Sequence, residues 1–285
     1  MLIAGPTASG KSALALRLAE NADAVVVNAD SMQVYDALPI LSARPSAVEM
    51  AAAPHRLYGF VDPGRAYSVG DYLRDAGPLV AELRSAGRRI VIVGGTGLYF
   101  RALTEGLVET PETPPALRAA LEAEAAAGGD MHARLARLDT EAAARLAAAD
   151  LPRILRALEV IEGTGRTLAE WRAEAQGAPL LPPGSWRGVF LAPEREALVR
   201  RIDARFAAMI EAGALGEVRA LMDLGLPPNR GVMKAHGAPH LAAHLRGEIT
   251  LAEAIARGRQ DTRRYAKRQM TWAKKFMAGW AWLPA

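Results

Sequence analysis

The sequence lacks cysteine altogether and is poor in aromatic side chains, which make up 6% of its 285 residues. Without cysteine the chain forms no disulfide framework and offers no thiolate as a metal ligand or nucleophile. This composition suits a reducing cytoplasm, and we predict a cytoplasmic protein. No apolar run reaches the roughly 18–20 residues that a membrane-spanning helix needs, so we expect no membrane partner. At the N-terminus, Gly10-Lys11-Ser12 interrupts the apolar stretch, which favours a first buried strand over an export signal.

A large excess of charge is also missing. The formal net charge is +4, which by itself is weak evidence for a nucleic-acid partner. Apolar residues are plentiful at 51%, against 23% charged, so a sizeable core can form. Alanine is abundant and favours helices, and the length suits one large domain or two small ones.

A phosphate-loop pattern, G-x-x-x-x-G-K-[ST], is complete at Gly5-Pro6-Thr7-Ala8-Ser9-Gly10-Lys11-Ser12. An apolar run at Met1–Gly5 precedes it and a helical pattern at Lys11–Glu20 follows it, which is the context in which this pattern binds phosphate. In such loops backbone N–H groups converge on phosphate oxygens, while Lys11 adds a cation and Ser12 offers a hydroxyl to Mg²⁺ or phosphate. We therefore predict a diphosphate or triphosphate site. A glycine turn formed by chance is the alternative, and the pattern does not name the reaction.

Short apolar runs predict a parallel sheet. Besides the first run, Ala24–Asn28 and Arg89–Val93 are typical of buried strands, and Gly188–Leu191 is a weaker candidate. Strands separated by helices indicate an α/β fold class, a P-loop parallel sheet flanked by helices. Ligands collect at the carboxyl ends of such strands, so the phosphate loop, Asp30-Ser31 and Gly94–Gly97 would meet there.

The middle of the chain predicts a helical insertion domain in this fold. Residues 114–176 are alanine-rich and helical in pattern, with no convincing strand, and residues 177–184 are typical of a linker. We assign 1–112 and 178–285 to a P-loop catalytic core with C-terminal helices. Residues 113–177 are assigned to the helical insertion domain.

Asp30 follows the second predicted strand, close to where phosphates would bind. A carboxylate there can hold Mg²⁺, or it can accept a proton from a nucleophile that attacks near the phosphate. An Asx turn or a helix N-cap at the strand end is the structural alternative. Spacing alone leaves these uses open.

Basic residues are concentrated near the C-terminus, where residues 257–275 carry eight basic side chains against one acid, Asp261. On a helix seven of them form two neighbouring stripes, one of Arg257, Arg264, Arg268 and Lys275 and one of Arg263, Lys267 and Lys274. We expect this face to contact RNA phosphates, with a solvated helix face as the alternative. The aromatic stripe of Tyr265, Trp272 and Phe276 is assigned to the core.

Several longer strings make a family resemblance plain. Besides the phosphate loop, these are Asn28-Ala29-Asp30-Ser31-Met32-Gln33-Val34-Tyr35, Ala53-Pro54-His55-Arg56-Leu57, Gly94-Gly95-Thr96-Gly97-Leu98-Tyr99, Arg153-Ile154-Leu155-Arg156-Ala157-Leu158-Glu159-Val160, Arg201-Ile202-Asp203-Ala204-Arg205-Phe206 and Ala266-Lys267-Arg268-Gln269-Met270-Thr271-Trp272. In this order, along nearly the whole chain, they resemble the tRNA dimethylallyltransferase family, also called tRNA isopentenyltransferases.

The resemblance implies transfer of a dimethylallyl group from its diphosphate to the exocyclic amine of the adenosine just 3′ of the anticodon in tRNA. Pyrophosphate is released, so the phosphate loop would hold the diphosphate of the donor rather than ATP. Catalytic roles are implied for Asp30 as general base, for Thr7 and for Arg205. The resemblance also implies Mg²⁺ as cofactor, with the Ser12 hydroxyl as its protein ligand. We expect dimethylallyl diphosphate and the tRNA anticodon stem-loop as partners of a monomer.

The same resemblance places a further set of residues against tRNA. These are Asp30, Ser31, Met32, Gln33, Thr96, Arg118, Arg153 and Arg156. The target base must leave its stack to reach such a pocket, and the Gln33 amide could then hydrogen-bond an adenine edge. Each residue also has an alternative without tRNA. Gln33 could lie in an exposed loop, Thr96 could belong to a tight turn at a strand end, and the three arginines could lie on solvated helix surfaces.

The chain departs from the family pattern at four places. Ser12 stands where threonine is commoner, and the hydroxyl is kept. Leu151-Pro152 stands where the family has Pro-Gln, which removes a glutamine from the expected tRNA contact. Residues 41–45 differ from the usual Gly-Thr-Ala-Lys-Pro, and His236 replaces an aliphatic residue.

Three other functions stay open at this point. A P-loop small-molecule kinase would use the phosphate loop for ATP. An enzyme that prenylates free adenine nucleotides would need neither the helical insertion nor the basic helix. An RNA-binding module without catalysis would leave the phosphate loop and Asp30 without a purpose.

Overall fold

The structure is a computed structural model that describes residues 1–108, 110–174, 178–228 and 230–285. These residues form two compact units, one of Met1–Glu105 with Leu180–Ala285 and one of Gly106–Pro179. The domain boundaries after residues 112 and 177 stay predictions. Gln176 and Gly177, beside the second of them, lie outside the described residues.

The first unit is built on a parallel sheet whose six described strands have the order β3-β2-β4-β1-β5-β6. The strands are β1 Leu2–Ala4, β2 Ala24–Asn28, β3 His55–Arg56, β4 Arg89–Gly94, β5 Gly188–Leu191 and β6 Ala281–Leu283. Ala4 at the end of β1 is in register with Gly94 of β4 and Phe190 of β5. The predicted α/β fold with a parallel sheet is confirmed.

Thirteen α-helices occur in the described ranges. They are α1 Lys11–Ala22, α2 Ala47–Ala52, α3 Val69–Ser85, α4 Gly97–Glu105, α5 Pro115–Ala126, α6 Met131–Leu138, α7 Thr140–Arg145, α8 Leu151–Thr164, α9 Leu168–Glu174, α10 Arg195–Glu211, α11 Ala214–Asp223, α12 Ala238–Leu245 and α13 Leu251–Phe276. None of these helices is long and apolar enough to cross a membrane.

Alternation along the strands gives the sheet two apolar faces. On one face Leu2 and Ile92 pack in a core that includes residues of α3 and α4. On the other face Ile3 and Val91 pack against Ala15 of α1. Because β1, β2 and β4 are parallel, their carboxyl ends lie at one edge of the sheet, which the helices on the two faces leave open to a ligand.

The C-terminal helix α13 extends from a second hydrophobic cluster to the sheet core. It begins at a capping box, in which the Thr250 side chain accepts the Glu253 N–H and the Glu253 side chain accepts the Thr250 N–H. Near this end Ala254 packs with residues of α10, α11 and α12. At the other end Ala273 joins the core under the sheet.

The unit Gly106–Pro179 has a hydrophobic core of its own, formed by α5 to α8. Leu121, Leu135, Ile154 and Leu158 are its large buried side chains. The described part of this unit contains helices and no strand, which agrees with the helical pattern of residues 114–176.

Candidate active site

The phosphate loop joins β1 to α1 at the carboxyl edge of the sheet. Its turn has two left-handed residues, Ala8 with φ 61° and Gly10 with φ 86°, a conformation that glycine adopts more readily than alanine. A Cβ on Gly5 would lie 2.8 Å from Oγ of Ser9, so glycine allows the close turn. The Ser9 hydroxyl is buried and has no hydrogen-bond partner in the described part of the chain. It is therefore a polar group that a ligand can satisfy.

Lys11, the first residue of α1, is 9% exposed. Its Nζ donates to the carbonyl of Pro6 at 3.3 Å. Burial lowers the pKa of Lys11 to about 8, against the opposing effect of Asp30 and with a smaller contribution from Arg205. A buried ammonium group is costly without a paired anion, so this position suits an anionic ligand.

Asp30 is fixed by the end of β2. The fully buried Asn28 accepts the Asp30 N–H at 2.8 Å, and its amide nitrogen donates to the carbonyls of Asp30 and Leu57, both at 3.0 Å. Oδ1 of Asp30 accepts the Met32 N–H at 2.9 Å, which is the Asx turn considered as the structural alternative. The turn orients the carboxylate without removing it from the site.

A pocket of about 630 Å³, its mouth included, opens beside the phosphate loop. Thr7, Asp30 and Arg205 are polar residues of its lining. Burial lowers the pKa of Arg205, and Asp30 opposes that shift. The apolar lining includes Met32, Leu41, Ile202, Phe206, Met209 and Ala235. A pocket of this kind can take a short hydrocarbon that is attached to a diphosphate.

The rings of His236 and Tyr265 pack against each other in another part of the lining, with their centroids 4.1 Å apart and their planes inclined by 39°. Burial and then Arg268 lower the pKa of His236, against Asp30 and Asp261, so the imidazole is neutral near pH 7. The departure from the family pattern at His236 thus lies inside the pocket. Tyr265, which we predicted to lie in the core with Trp272 and Phe276, lines the pocket.

The segments after β2 and β4 are bonded to each other. Oγ1 of Thr96 accepts the Ser31 N–H at 2.9 Å and lies 3.2 Å from Oγ of Ser31.

Gln33 is 8% exposed, and its amide nitrogen donates to the carbonyls of Ser42 and Ala43 at 3.0 and 2.9 Å. Both N–H groups of the Gln33 amide are therefore used within the fold, where they hold the loop that contains Leu41.

The three arginines assigned to tRNA contact lie in the unit Gly106–Pro179 and differ in their partners. Arg118 makes two hydrogen bonds, at 2.9 and 3.1 Å, to the buried carboxylate of Glu159. Arg156 bonds the same carboxylate at 3.2 Å and Oγ1 of Thr110 at 2.7 Å. Arg153 is 75% exposed and pairs only loosely, at 3.3 Å, with Asp150. Two of the three cations thus also hold this unit together.

The basic side chains of α13 are mostly exposed. Arg263 is bonded to Asp203, and Arg264 lies 3.6 Å from Asp261. Lys267 and Lys274 are exposed on the same face. This face can therefore offer cations to a polyanion.

Comparison with known proteins assigns the family. The family model described as IPP transferase matches residues 33–276, and the model described as Isopentenyl transferase matches residues 1–62. The chain belongs to the IPP transferase family. A tRNA dimethylallyltransferase of Bradyrhizobium sp. strain BTAi1 is 56% identical over 285 residues, which cover 99% of this chain and 93% of that protein. The resemblance to tRNA dimethylallyltransferases found in the sequence is confirmed.

Two solved structures of IPP transferases are similar to this chain. The full-length tRNA isopentenylpyrophosphate transferase from Bacillus halodurans has a TM-score of 0.71 and 34% identity, covering 99% of this chain and 88% of its own. A eukaryotic dimethylallyltransferase, solved acting on tRNA, has a TM-score of 0.84 and 26% identity, covering 99% of this chain and 73% of its own.

Two polar side chains that the sequence did not single out support the site of this IPP transferase. Glu217 on α11 accepts the N–H groups of Ile40 and Leu41 at 2.7 and 3.0 Å, which fixes the pocket wall. Gln269 on α13 is bonded to the phosphate loop. The feature of the sequence that could have identified Gln269 is its place as a long polar residue on the buried stripe of α13, between Ala266 and Ala273.

Proposed function

We propose that this member of the IPP transferase family transfers the dimethylallyl group of dimethylallyl diphosphate to tRNA. The acceptor is the exocyclic amine of the adenosine 3′-adjacent to the anticodon, and pyrophosphate is the second product. The observation that carries the proposal is a pocket with an apolar wall that ends at the phosphate loop, Asp30 and Arg205. The relative with 56% identity, named tRNA dimethylallyltransferase, supports the same reaction.

The cations of the site act on the leaving group. As the bond between C1 of the donor and its phosphate oxygen breaks, the electron pair stays with the departing diphosphate. Lys11 and Arg205, with the N–H groups of the phosphate loop, would stabilise this growing negative charge. Burial has already removed much of the water from both cations, so their interaction with the diphosphate is strong. The apolar wall would surround the C5 unit and keep water from the allylic cation.

Asp30 acts on the nucleophile. The adenine amine forms a bond to C1 and gains positive charge, and the carboxylate accepts one of its protons. The Asx turn with Met32 holds Oδ1 in place. Oδ2 would lie 3.2 Å from a Cβ on Gly95, so a larger residue at position 95 would crowd the carboxylate. The proton passes later from Asp30 to solvent.

Mg²⁺ is the cofactor that we propose, and the donor set fits it. The Ser12 hydroxyl is exposed at the start of α1, and hard oxygen ligands suit this ion. Among the described residues there is no group of three or more acidic or histidine side chains that could hold a metal. The diphosphate oxygens would therefore complete the coordination. The bound ion would offset charge on the diphosphate.

The proposed tRNA surfaces are the exposed basic face of α13 and the predicted insertion domain, where Arg153 is the most exposed of the three arginines. Ser31, Met32 and Thr96 follow strand ends beside the pocket, where a flipped adenine would arrive. We also propose that the protein acts as a monomer in the cytoplasm.

A two-substrate assay tests the reaction. The chain is incubated with Mg²⁺, dimethylallyl diphosphate and an anticodon stem-loop with adenosine at the 3′-adjacent position. Pyrophosphate should appear only when both substrates are present, and a stem-loop with guanosine at that position is the matched control. Release of ADP from ATP, without pyrophosphate from the diphosphate donor, would favour a P-loop kinase instead.

The substitution Asp30→Asn tests the assigned base. The amide oxygen can still accept the Met32 N–H, so the fold and donor binding should be kept. Loss of the proton acceptor should lower kcat by about 10²- to 10⁴-fold. Asp23→Asn, at a side chain that is 87% exposed, is the matched control. Turnover by Asp30→Asn at the wild-type rate would remove Asp30 from the role.

A further inference from the structure

Gln269 joins three parts of the chain that are far apart in sequence. It is 9% exposed on the buried stripe of α13. Its Oε1 accepts the backbone N–H of Thr7 at 3.0 Å, and its Nε2 donates to the carbonyl of Gly95 at 2.8 Å. One amide thus connects the basic helix, the phosphate loop and the segment after β4.

The bond to Thr7 decides which group of that residue can meet a diphosphate. Backbone N–H groups of a phosphate loop normally converge on phosphate oxygens. The N–H of Thr7 is taken by Gln269, whereas the residue itself lines the pocket. The side-chain hydroxyl is therefore what Thr7 can offer to the donor.

We propose that Gln269 is a positioning residue that holds the Thr7 backbone so that the Thr7 hydroxyl contacts the diphosphate leaving group. The inference rests on the proposed function. Gln269 acts through Thr7 and does not touch the substrate. Its second bond, to Gly95, fixes the amide in the one orientation that presents oxygen to Thr7, because the carbonyl of Gly95 requires a donor.

The packing around the amide leaves little freedom for this arrangement. A Cβ on Gly95 would lie 2.3 Å from Nε2 of Gln269 and 3.2 Å from Oδ2 of Asp30. Glutamine also suits the position better than glutamate, because a carboxylate would repel Asp30 and the diphosphate and could not donate to Gly95. Displacement of a catalytic group by about 1 Å is enough to slow a reaction about 10²-fold.

A double-mutant cycle on kcat tests the proposal. Gln269→Met, which keeps the side-chain length and removes both hydrogen bonds, should lower kcat about 10- to 100-fold. The dissociation constant for the tRNA stem-loop should change by less than about twofold. In a Thr7→Ala background the same substitution should cost less than about threefold, since the group it positions is gone. Gln260→Met, on the exposed side of the same helix, is the matched control.

A pH profile gives a second readout that loss of packing would not produce. In Gln269→Glu the neutral carboxylic acid can accept from Thr7 and donate to Gly95, whereas the carboxylate cannot donate. Activity relative to wild type should therefore recover as the pH falls. This variant also carries the test if Gln269→Met does not fold.

The assignment is overturned by an equal loss of kcat in both Thr7 backgrounds, by a loss of tRNA affinity as large as the loss of kcat, or by a Gln269→Glu profile parallel to wild type. If the Gln269 variants form product at the same rate as wild type and Gln260→Met, only the inference about Gln269 fails. If wild type forms no prenylated tRNA, the proposed function itself fails.

Discussion

Removal of the buried cation of the phosphate loop should stabilise the ligand-free protein while it abolishes donor binding. The substitution is Lys11→Met, which keeps the apolar part of the side chain and removes the ammonium group. Lys11 is almost completely buried, and no other hydrogen bond than that to Pro6 is found for its Nζ in the described residues. The buried charge therefore lowers the free energy of unfolding of the ligand-free protein, and a bound anion offsets this loss.

The magnitude follows from the pKa of Lys11, which burial lowers from 10.5 to about 8. The unfolded chain holds the proton up to about pH 10.5, whereas the native chain releases it near pH 8. The buried charge thus lowers the free energy of unfolding by about 3 kcal/mol below pH 8, and this destabilisation decreases as the pH rises. The lost bond to Pro6 offsets about 1 kcal/mol. We expect the free energy of unfolding of Lys11→Met to exceed that of wild type by about 2 kcal/mol at pH 7 and by close to nothing at about pH 9.5.

Urea unfolding at the two pH values measures this difference. Lys267→Met, at an exposed position of α13, removes the same charge from the surface and corrects for general effects of alkaline pH. Pyrophosphate with Mg²⁺ should raise the stability of wild type and of Lys267→Met but not that of Lys11→Met. A Lys11→Met protein that is less stable than wild type at pH 7, or that is more stable by the same amount at both pH values, would refute the assigned cost of the buried charge.

Two further predictions concern the proposed RNA surfaces. The double substitution Lys267→Ala with Lys274→Ala should lower the slope of log affinity against log salt by about one to two for the anticodon stem-loop, with kcat at saturation unchanged. Arg219→Ala, an exposed basic position on α11, should not change the slope, and an equal effect there would contradict the assignment. Glu159→Gln should destabilise the unit Gly106–Pro179 by about 2 kcal/mol, because its two arginine partners lose a buried carboxylate. Glu112→Gln, which is exposed, is the control in urea unfolding, and equal stability of the two variants would count against this role.

Features that depend on local sequence could be predicted. The strands at 24–28 and 188–191 have the bounds that the apolar runs indicated, since a buried parallel strand is a continuous apolar segment. The phosphate loop and Asp30 meet at one sheet edge because parallel strands bring their carboxyl ends together. The strands β3 and β6 were missed. Both residues of β3 are polar, and β6 is not followed by a motif such as the phosphate loop that identified the equally short β1.

Features that depend on pairing across the chain could not be predicted. Nothing near Gln269 in sequence indicates that its amide bonds Thr7 and Gly95, which are 262 and 174 residues away. Arg118 and Arg156 lie at helical positions typical of solvated side chains, yet Arg118 on α5 bonds Glu159 on α8, and Arg156 on α8 bonds Thr110 ahead of α5. Such contacts arise only when the tertiary fold brings separate segments together.

Mass spectrometry of tRNA nucleosides tests the central claim most directly. Unmodified tRNA with adenosine 3′-adjacent to the anticodon is incubated with the protein, dimethylallyl diphosphate and Mg²⁺, then digested to nucleosides. We expect a mass gain of one C5 unit on that adenosine, which Asp30→Asn forms about 10²- to 10⁴-fold more slowly. An unchanged adenosine, or a C5 unit on another nucleoside, would contradict it.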